Sequence, residues 1–153
     1  MKKQTLLFVS LLFVLSGCFS KAEAKAEEAT CSGKLQETEI TTTMKAKNHQ
    51  ITEQRIQLHT DYAGIGYSRK QAQNCIKQYE KDYADIKGLS YQGTVTEKQI
   101  EQLLVLNLTA INSSQLKKLE FIQSTDGTMF DINKSVSEYE RQGLTCSTKQ
   151  IDE

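Results

Sequence analysis

The chain has 153 residues, with 19 Lys and Arg against 19 Asp and Glu, 25% charged residues, no Pro and no Trp. That length suits a single domain, and the even charge balance without a long basic run argues against a nucleic-acid partner. The apolar content of 38% fits a folded core beneath a charged surface, not a disordered chain.

Met1-Lys2-Lys3 opens an apolar run, Thr5 to Leu15, that is almost wholly Leu, Phe, Val and Ser and ends in Ser16-Gly17-Cys18. A basic start, an apolar stretch of about 7–15 residues and small residues at a cleavage site describe a secretory signal. The run is too short to span a bilayer, which takes about 20 apolar residues. Leu15-Ser16-Gly17-Cys18 resembles the lipobox of bacterial lipoproteins. The resemblance implies a signal peptide over 1–17, cleavage before Cys18 and a diacylglyceryl group on its sulfur. Each buried methylene contributes about 0.8 kcal/mol and stable anchoring takes two chains, which this group supplies at one residue. On this reading the first partner is membrane lipid, and the location is the extracytoplasmic face of the cell membrane. The alternative is an ordinary cleaved signal with an accidental Cys18. Loss of Lys2 and Lys3 leaves 17 basic against 19 acidic residues, a net charge of −2.

Residues 18–32 are rich in Ala, Glu and Lys and show no apolar face, so they read as a lipid anchor followed by a flexible tether with a coil reach of about 20 Å. A folded domain is expected over 33–150. Ile40, Thr42, Met44 and Ala46 alternate on one side of a strand, and Thr52, Gln54, Ile56 and Leu58 on one side of the next. Lys47-Asn48-His49 has turn chemistry, because Asn tolerates a left-handed backbone. The pair predicts a β-hairpin.

Gly64 and Gly66 mark a connection, and Ser68 is placed to cap a helix. Ala72, Ile76, Tyr79 and Tyr83 then recur at helical spacing. Gly88 ends that region. Leu89, Tyr91, Gly93 and Val95 alternate in a strand, and Leu103 to Leu106 form the most apolar part of a second, more central one. A short helix follows around Leu116 and Leu119. A loop holds Asp126-Gly127, and a helix capped by Asn133 runs to Gln142 with Val136 and Tyr139 inward. Gly143 suits the position after its end, and Leu144 to Ser147 can form a last short strand. The predicted class is α+β: a mainly antiparallel sheet of two hairpins in ββαββα order, with helices packed on one face.

Of four cysteines, Cys18 is assigned to lipid. In an oxidising compartment the other three allow one disulfide. Cys31 and Cys146, at the two ends of the folded region, are the favoured pair; a bridge there would close a long loop, worth about 4–5 kcal/mol on the chain-entropy model. Cys75 lies beside the helical stripe and reads as a small hydrophobe. The alternative leaves all three reduced.

Signals for chemistry are weak. His49 and His59 are the only histidines. His59 and Asp61 share a strand face, but a metal site needs three or four ligands, so no metal and no other cofactor is expected. Asp126, Asp131 and Asn133 lack the spacing of a calcium loop. Neither Gly-x-Ser-x-Gly nor CxxC occurs, and Glu37 and Glu39 sit where solvent is expected, so no catalytic residue is assigned. Tyr62 and Tyr67 flank the Gly-containing loop and are candidate exposed anchors for a partner.

The lipobox, the Thr-rich hairpin at Lys47-Asn48-His49, Ile65-Gly66-Tyr67-Ser68 opening an Ala/Gln/Lys helix, Tyr83-Ala84-Asp85-Ile86-Lys87-Gly88-Leu89 leading into a strand and Gln142-Gly143-Leu144 closing the last helix together resemble the YehR-like family of small bacterial lipoproteins. The resemblance covers roughly 34–145. It implies an antiparallel sheet with helices on one side and carries over no functional residue; Cys31 and Cys146 are not part of its pattern. The expectation is a membrane-anchored, non-catalytic binding or interaction module whose protein or small-molecule ligand the sequence does not name. A small envelope enzyme and a structural spacer are the alternatives.

Overall fold

The computed structural model describes residues 25–111, 113–116, 119 and 130–151. Strands β1 (Ala26–Leu35), β2 (Thr38–Lys47), β3 (Gln50–Asp61), β4 (Leu89–Val95), β5 (Gln99–Asn107) and β6 (Thr145–Ile151) form one sheet in the order β4-β5-β3-β2-β1-β6. Every neighbouring pair is antiparallel. Helix α1 (Arg69–Tyr83) lies between β3 and β4 in sequence, and α2 (Ser113–Leu116) and α3 (Ile132–Arg141) between β5 and β6. The α+β class with helices on one face holds. The expected order gains a strand at its start, β1, and the last strand is β6.

Alternation along each strand assigns the two faces. Ala29, Cys31 and Leu35 of β1 stand beside Ile40, Thr42 and Met44 of β2, then Gln54, Ile56 and Leu58 of β3, and Leu104 and Leu106 of β5. This set is the core. Ile132, Val136 and Tyr139 of α3 cover the β1–β2 end of it, and Ala72 and Ile76 of α1 cover Tyr91, Val95 and Ile100 at the other end. Ile86, Ile111 and Leu119 close the middle over Ile56, Leu104 and Leu106.

The tether expected over 18–32 is corrected by β1. Residues 26–32 are its first seven positions, held between β2 and β6. Ala29 and Cys31 are fully buried, and a Cβ added at Gly33 would meet the Leu144 Cα at 3.2 Å. A strand beneath a helix needs small side chains, and small side chains with interspersed charge look like a linker. The folded body therefore includes residues 26–32 and does not wait for 33.

Local chemistry fixes the ends of the elements. Asn48 and His49 have φ of +50° and +67°, the left-handed pair that a two-residue type I′ hairpin turn requires. Gln36, first of the two residues joining β1 to β2, has φ +53°. Ser68 caps α1 in a capping box: the Gln71 N–H donates to Ser68 Oγ at 3.3 Å and the Ser68 N–H to Gln71 Oε1 at 2.9 Å. The cap of α3 is Asp131 and not Asn133: its carboxylate accepts from the Asn133 and Lys134 N–H groups, each at 3.0 Å. The helix begins earlier because Ile132 is fully buried against the sheet, and its N–H donates to the His49 carbonyl at 2.9 Å. At its other end the Gly143 N–H donates to the Glu140 carbonyl and the Leu144 N–H to the Tyr139 carbonyl. With Gly143 at φ +98°, this is a Schellman stop that turns the chain into β6.

Candidate functional site

Helices α1 and α3 pack on one face of the sheet, so the alternate residues of all six strands form a second face that no described helix covers. Cross-strand register arranges this outer face in rows. One central row reads Ser90, Val105, Arg55, Thr43, Thr30 and Ser147; the next reads Gln92, Leu103, Gln57, Thr41, Ser32 and Thr145. Hydroxyls and amides dominate both, with half-buried Leu103 and Val105 as an apolar island. Apart from Arg55 in the first row, charge lies toward the strand ends. On one side Lys45 pairs with Glu53 at 3.3 Å and Lys149 with Glu28 at 2.9 Å. On the other, His59 sits between Glu39 and Glu101 and Glu39 faces Lys34. An open sheet face of this kind offers many donors and acceptors at the regular spacing of its strands.

Two groups of polar contacts beside α3 were not legible in the sequence. Gln54 and Thr42 are 4% and 0% exposed. Gln54 Nε2 donates to Thr42 Oγ1 at 3.1 Å and to the Tyr139 hydroxyl at 2.8 Å. Burial raises the Tyr139 pKa, and these hydrogen bonds oppose the rise. Glu27, 6% exposed, meets His49 Nδ1 at 3.1 Å, and Asn133 Nδ2 approaches the same nitrogen at 3.3 Å. The contacts join the start of β1, the β2–β3 tip and the first turn of α3. An Ala/Glu/Lys stretch gives no sign of a buried carboxylate until β1 is recognised as a strand.

The border between α1 and β4 is aromatic. Tyr79 and Tyr83 stack with centroids 5.5 Å apart and planes at 9°, and Tyr91 meets both edge-on at 6.1 and 5.2 Å. Tyr91 donates to Gln102 Oε1 at 3.0 Å. Burial, reinforced by neighbouring Cys75, Tyr79, Tyr83 and Glu80, raises its pKa well above the usual phenol range. Gly93 admits Ile76 between strand and helix: a Cβ there would meet Ile76 Cδ1 at 2.7 Å.

Residues 27–145 match the family model described as a protein of unknown function, DUF1307. The chain belongs to the DUF1307 family. Its sequence is 27% identical over 148 residues to the uncharacterized lipoprotein Lin0239 of Listeria innocua, covering 95% of this chain and 92% of that one. Its fold is similar to the NMR structure of Escherichia coli YehR, with a TM-score of 0.62 and 17% identity over 86% of this chain and 96% of the other. It is also similar to the NMR structure of a protein from Streptococcus pneumoniae TIGR4, with a TM-score of 0.56 and 12% identity over 96% and 98% of the two chains.

Cys31 and Cys146 face each other across β1 and β6 and are joined, with S–S 2.06 Å and a sequence separation of 115. Cys75 is free and half-buried on α1. Cys18, Asp126 and Gly127 lie outside the described residues. His59 and Asp61 both project from the outer face, and among the described residues no group of three or more His, Cys, Asp or Glu is placed to hold a metal ion. Glu37 lies in the β1–β2 turn, its carboxylate 3.6 Å from the Lys34 ammonium, and Lys34 stands opposite Glu39. The candidate aromatic anchors divide. Tyr62 is only 8% exposed, its hydroxyl donating to the Glu97 carbonyl, whereas Tyr67 is 43% exposed beside Ile65 at 41%. Tyr62 is buried because α1 needs an apolar seat for Ala72 beneath its first turn.

Proposed function

We propose that this DUF1307 protein is a lipoprotein held on the extracytoplasmic face of the cell membrane through Cys18, and that its folded body is a non-catalytic binding module using the outer sheet face. The carrying observation is that face: six strands present hydroxyl, amide and apolar groups in register, and no described helix covers them. A surface of this breadth suits an extended or flat partner better than a small molecule, which prefers a concave site. The Leu15-Ser16-Gly17-Cys18 motif and the lipoprotein name of the Listeria innocua relative support the anchor. The disulfide joins the first strand, next to that anchor, to the last. No nucleic acid and no cofactor enters this reading.

The test uses the lipidated protein in intact cells, with a photo-crosslinking residue at Gln57 on the outer face or at exposed Lys77 on α1. Specific adducts from position 57 and none from 77 are expected. Adducts from 77 alone, or turnover of an envelope substrate by the purified protein, would replace the reading. Incorporation of a fatty-acid analogue, lost in Cys18→Ala, tests the anchor separately.

A further inference from the structure

A sheet of six strands has two edges, and β4 is one of them. Natural edge strands are usually blunted by charge, Pro, a bulge or a covering element. The β4 sequence Leu-Ser-Tyr-Gln-Gly-Thr-Val has no charge and no Pro, and its pairing with β5 runs without a register shift. The hydrogen bonds fix which backbone groups face out. The Asn107 N–H donates to the Gly88 carbonyl at 2.7 Å and the Thr96 N–H to the Gln99 carbonyl at 2.9 Å. An antiparallel ladder alternates, so Ser90, Gln92 and Thr94 bond to β5. The N–H and C=O groups of Tyr91, Gly93 and Val95 point away from it. Among the described residues no hydrogen bond is recorded to them.

We propose that the β4 edge receives an extended, uncharged segment of another protein by strand addition. Its side chains would alternate in character. Those on the helix side would lie beside Tyr91 and Val95 and be aliphatic, and those on the outer side would continue the row of Ser90, Gln92 and Thr94 with hydroxyls or amides. Main-chain bonds give such a mode its affinity and the alternate side chains its selectivity.

The occupant is another protein and not a second copy, a choice that rests on the Cys18 anchor proposed above. Seven residues, 19–25, separate Cys18 from β1, a reach of at most about 25 Å. Two copies paired antiparallel through β4 would start their tethers at opposite ends of the sheet. The 12-residue β3 makes that sheet about 40 Å long. Both anchors would hold only if the strands lay along the membrane. A segment of a separate protein has no such constraint.

The probe is acetyl-Thr-Val-Thr-Val-Thr-Val-Thr-amide, added to the full lipidated protein in nanodiscs and to Cys18→Ala. Amide exchange at Tyr91, Gly93 and Val95 should slow at least tenfold in both. N-methylating one alternate set of the probe's amides should weaken binding at least tenfold while the other set changes it less than threefold; the Val set is the sensitive one for antiparallel pairing and the Thr set for parallel. Val95→Pro, which removes one outward N–H, should lower affinity similarly. If that variant unfolds, the N-methyl probes decide. Equal loss from both methylated probes, protection confined to β6, no protection at all, or a lipidated protein that itself dimerises through β4 would overturn the proposal. Absence of lipid on Cys18 would remove the anchor, and with it the choice of occupant, whereas the exchange pattern at β4 judges strand addition on its own.

Discussion

The two ends of the sheet are held by different means. At the β1–β2–β6 end the strand residues beneath α3 include the small Ala29, Cys31 and Ala46, set around the larger Met44. Cohesion there comes from the packing of Ile51, Ile132 and Leu144 and, in addition, from a covalent bridge and hydrogen bonds of fixed geometry. At the β4–β5 end it comes from volume, with Tyr79, Tyr83, Tyr91, Ile76 and Ile100 filling the space under α1. The first device resists thermal unfolding but depends on redox state; the second depends on shape alone. On the proposed anchoring outside the cytoplasm the first device would serve β6, an edge strand that among the described residues pairs with β1 alone.

The largest expected effect breaks the first device. Replacing Cys31 and Cys146 by Ala frees a crosslink spanning 115 residues. Removing a native bridge of this kind costs about 2–5 kcal/mol, so the melting temperature should fall by on the order of 10 °C. The fall should be local at first. Amide exchange in β6 should accelerate before any change in β4 and β5. Equal acceleration at both ends would show that the sheet is one cooperative unit and that the contrast is cosmetic.

Gly93→Ala is the matching lesion at the other end. The new methyl would sit 2.7 Å from Ile76 Cδ1 and 2.8 Å from its Cγ2. A β-branched side chain on a helix has one preferred rotamer, so Ile76 has little room to swing aside. Overpacking of this kind costs about 1–3 kcal/mol. Ile76→Val in the same chain should recover part of the loss, a coupling that denaturant melts of the four variants would measure. Purely additive effects would mean that Gly93 is needed for something other than the passage of Ile76.

The same contrast explains which parts of the fold were legible. The α1–β4–β5 end announces itself, because Ala72, Ile76, Tyr79 and Tyr83 carry helical spacing and Leu89, Tyr91 and Val95 carry strand spacing in large apolar residues. The other end hides. Ala29, Cys31 and Gly33 are too small to register as an apolar stripe, and Glu27 reads as solvent-facing charge. Two differences follow from this: the tether expected over 18–32 includes the first seven residues of β1, and the buried Glu27–His49 contact gives no sign in the sequence. The α3 cap slipped by two residues because Asp131 and Asn133 are both good caps and only burial of Ile132 chooses between them. The outer face was legible residue by residue in the Thr-rich strands, but its six-strand breadth requires the position of β1 and β6.

Tyr139→Phe tests the polar part of the stapled end. It removes the hydroxyl that accepts from Gln54 at 2.8 Å and leaves a buried amide N–H without that partner, at a cost of about 1–2 kcal/mol. It should also flatten an alkaline transition. Burial raises the folded pKa of Tyr139, and of Tyr91, above the ordinary phenol value of 10.0. The neutral phenols of the folded state then hold protons that the unfolded chain has lost. Stability is full below pH 10 and declines as pH rises through the folded values. Chemical melts between pH 8 and 11 should show the decline in the parent, less of it in Tyr139→Phe and less still with Tyr91→Phe added. Unchanged slopes would mean that the phenols are hydrated.

The smallest effects come from the turns, and there two identical substitutions should part company. Gln36 and His49 both hold a left-handed backbone, with φ +53° and +67°. Such a conformation costs an L-residue about 1–2 kcal/mol, a cost glycine avoids at the expense of chain entropy. Gln36→Gly should therefore gain about 0.5–1 kcal/mol. His49→Gly relieves the same strain and restores the Asn-Gly pair that type I′ turns favour. It also strips Glu27 of the imidazole 3.1 Å away and leaves a buried carboxylate to be satisfied by Asn133 or water. The expected gain should vanish or change sign. Glu27→Gln in the His49→Gly background should return the gain, because an amide tolerates that site without a charge to compensate. If both glycine variants gain equally, Glu27 is solvated despite its burial, and the link between the start of β1, the hairpin tip and α3 contributes nothing to the stapled end.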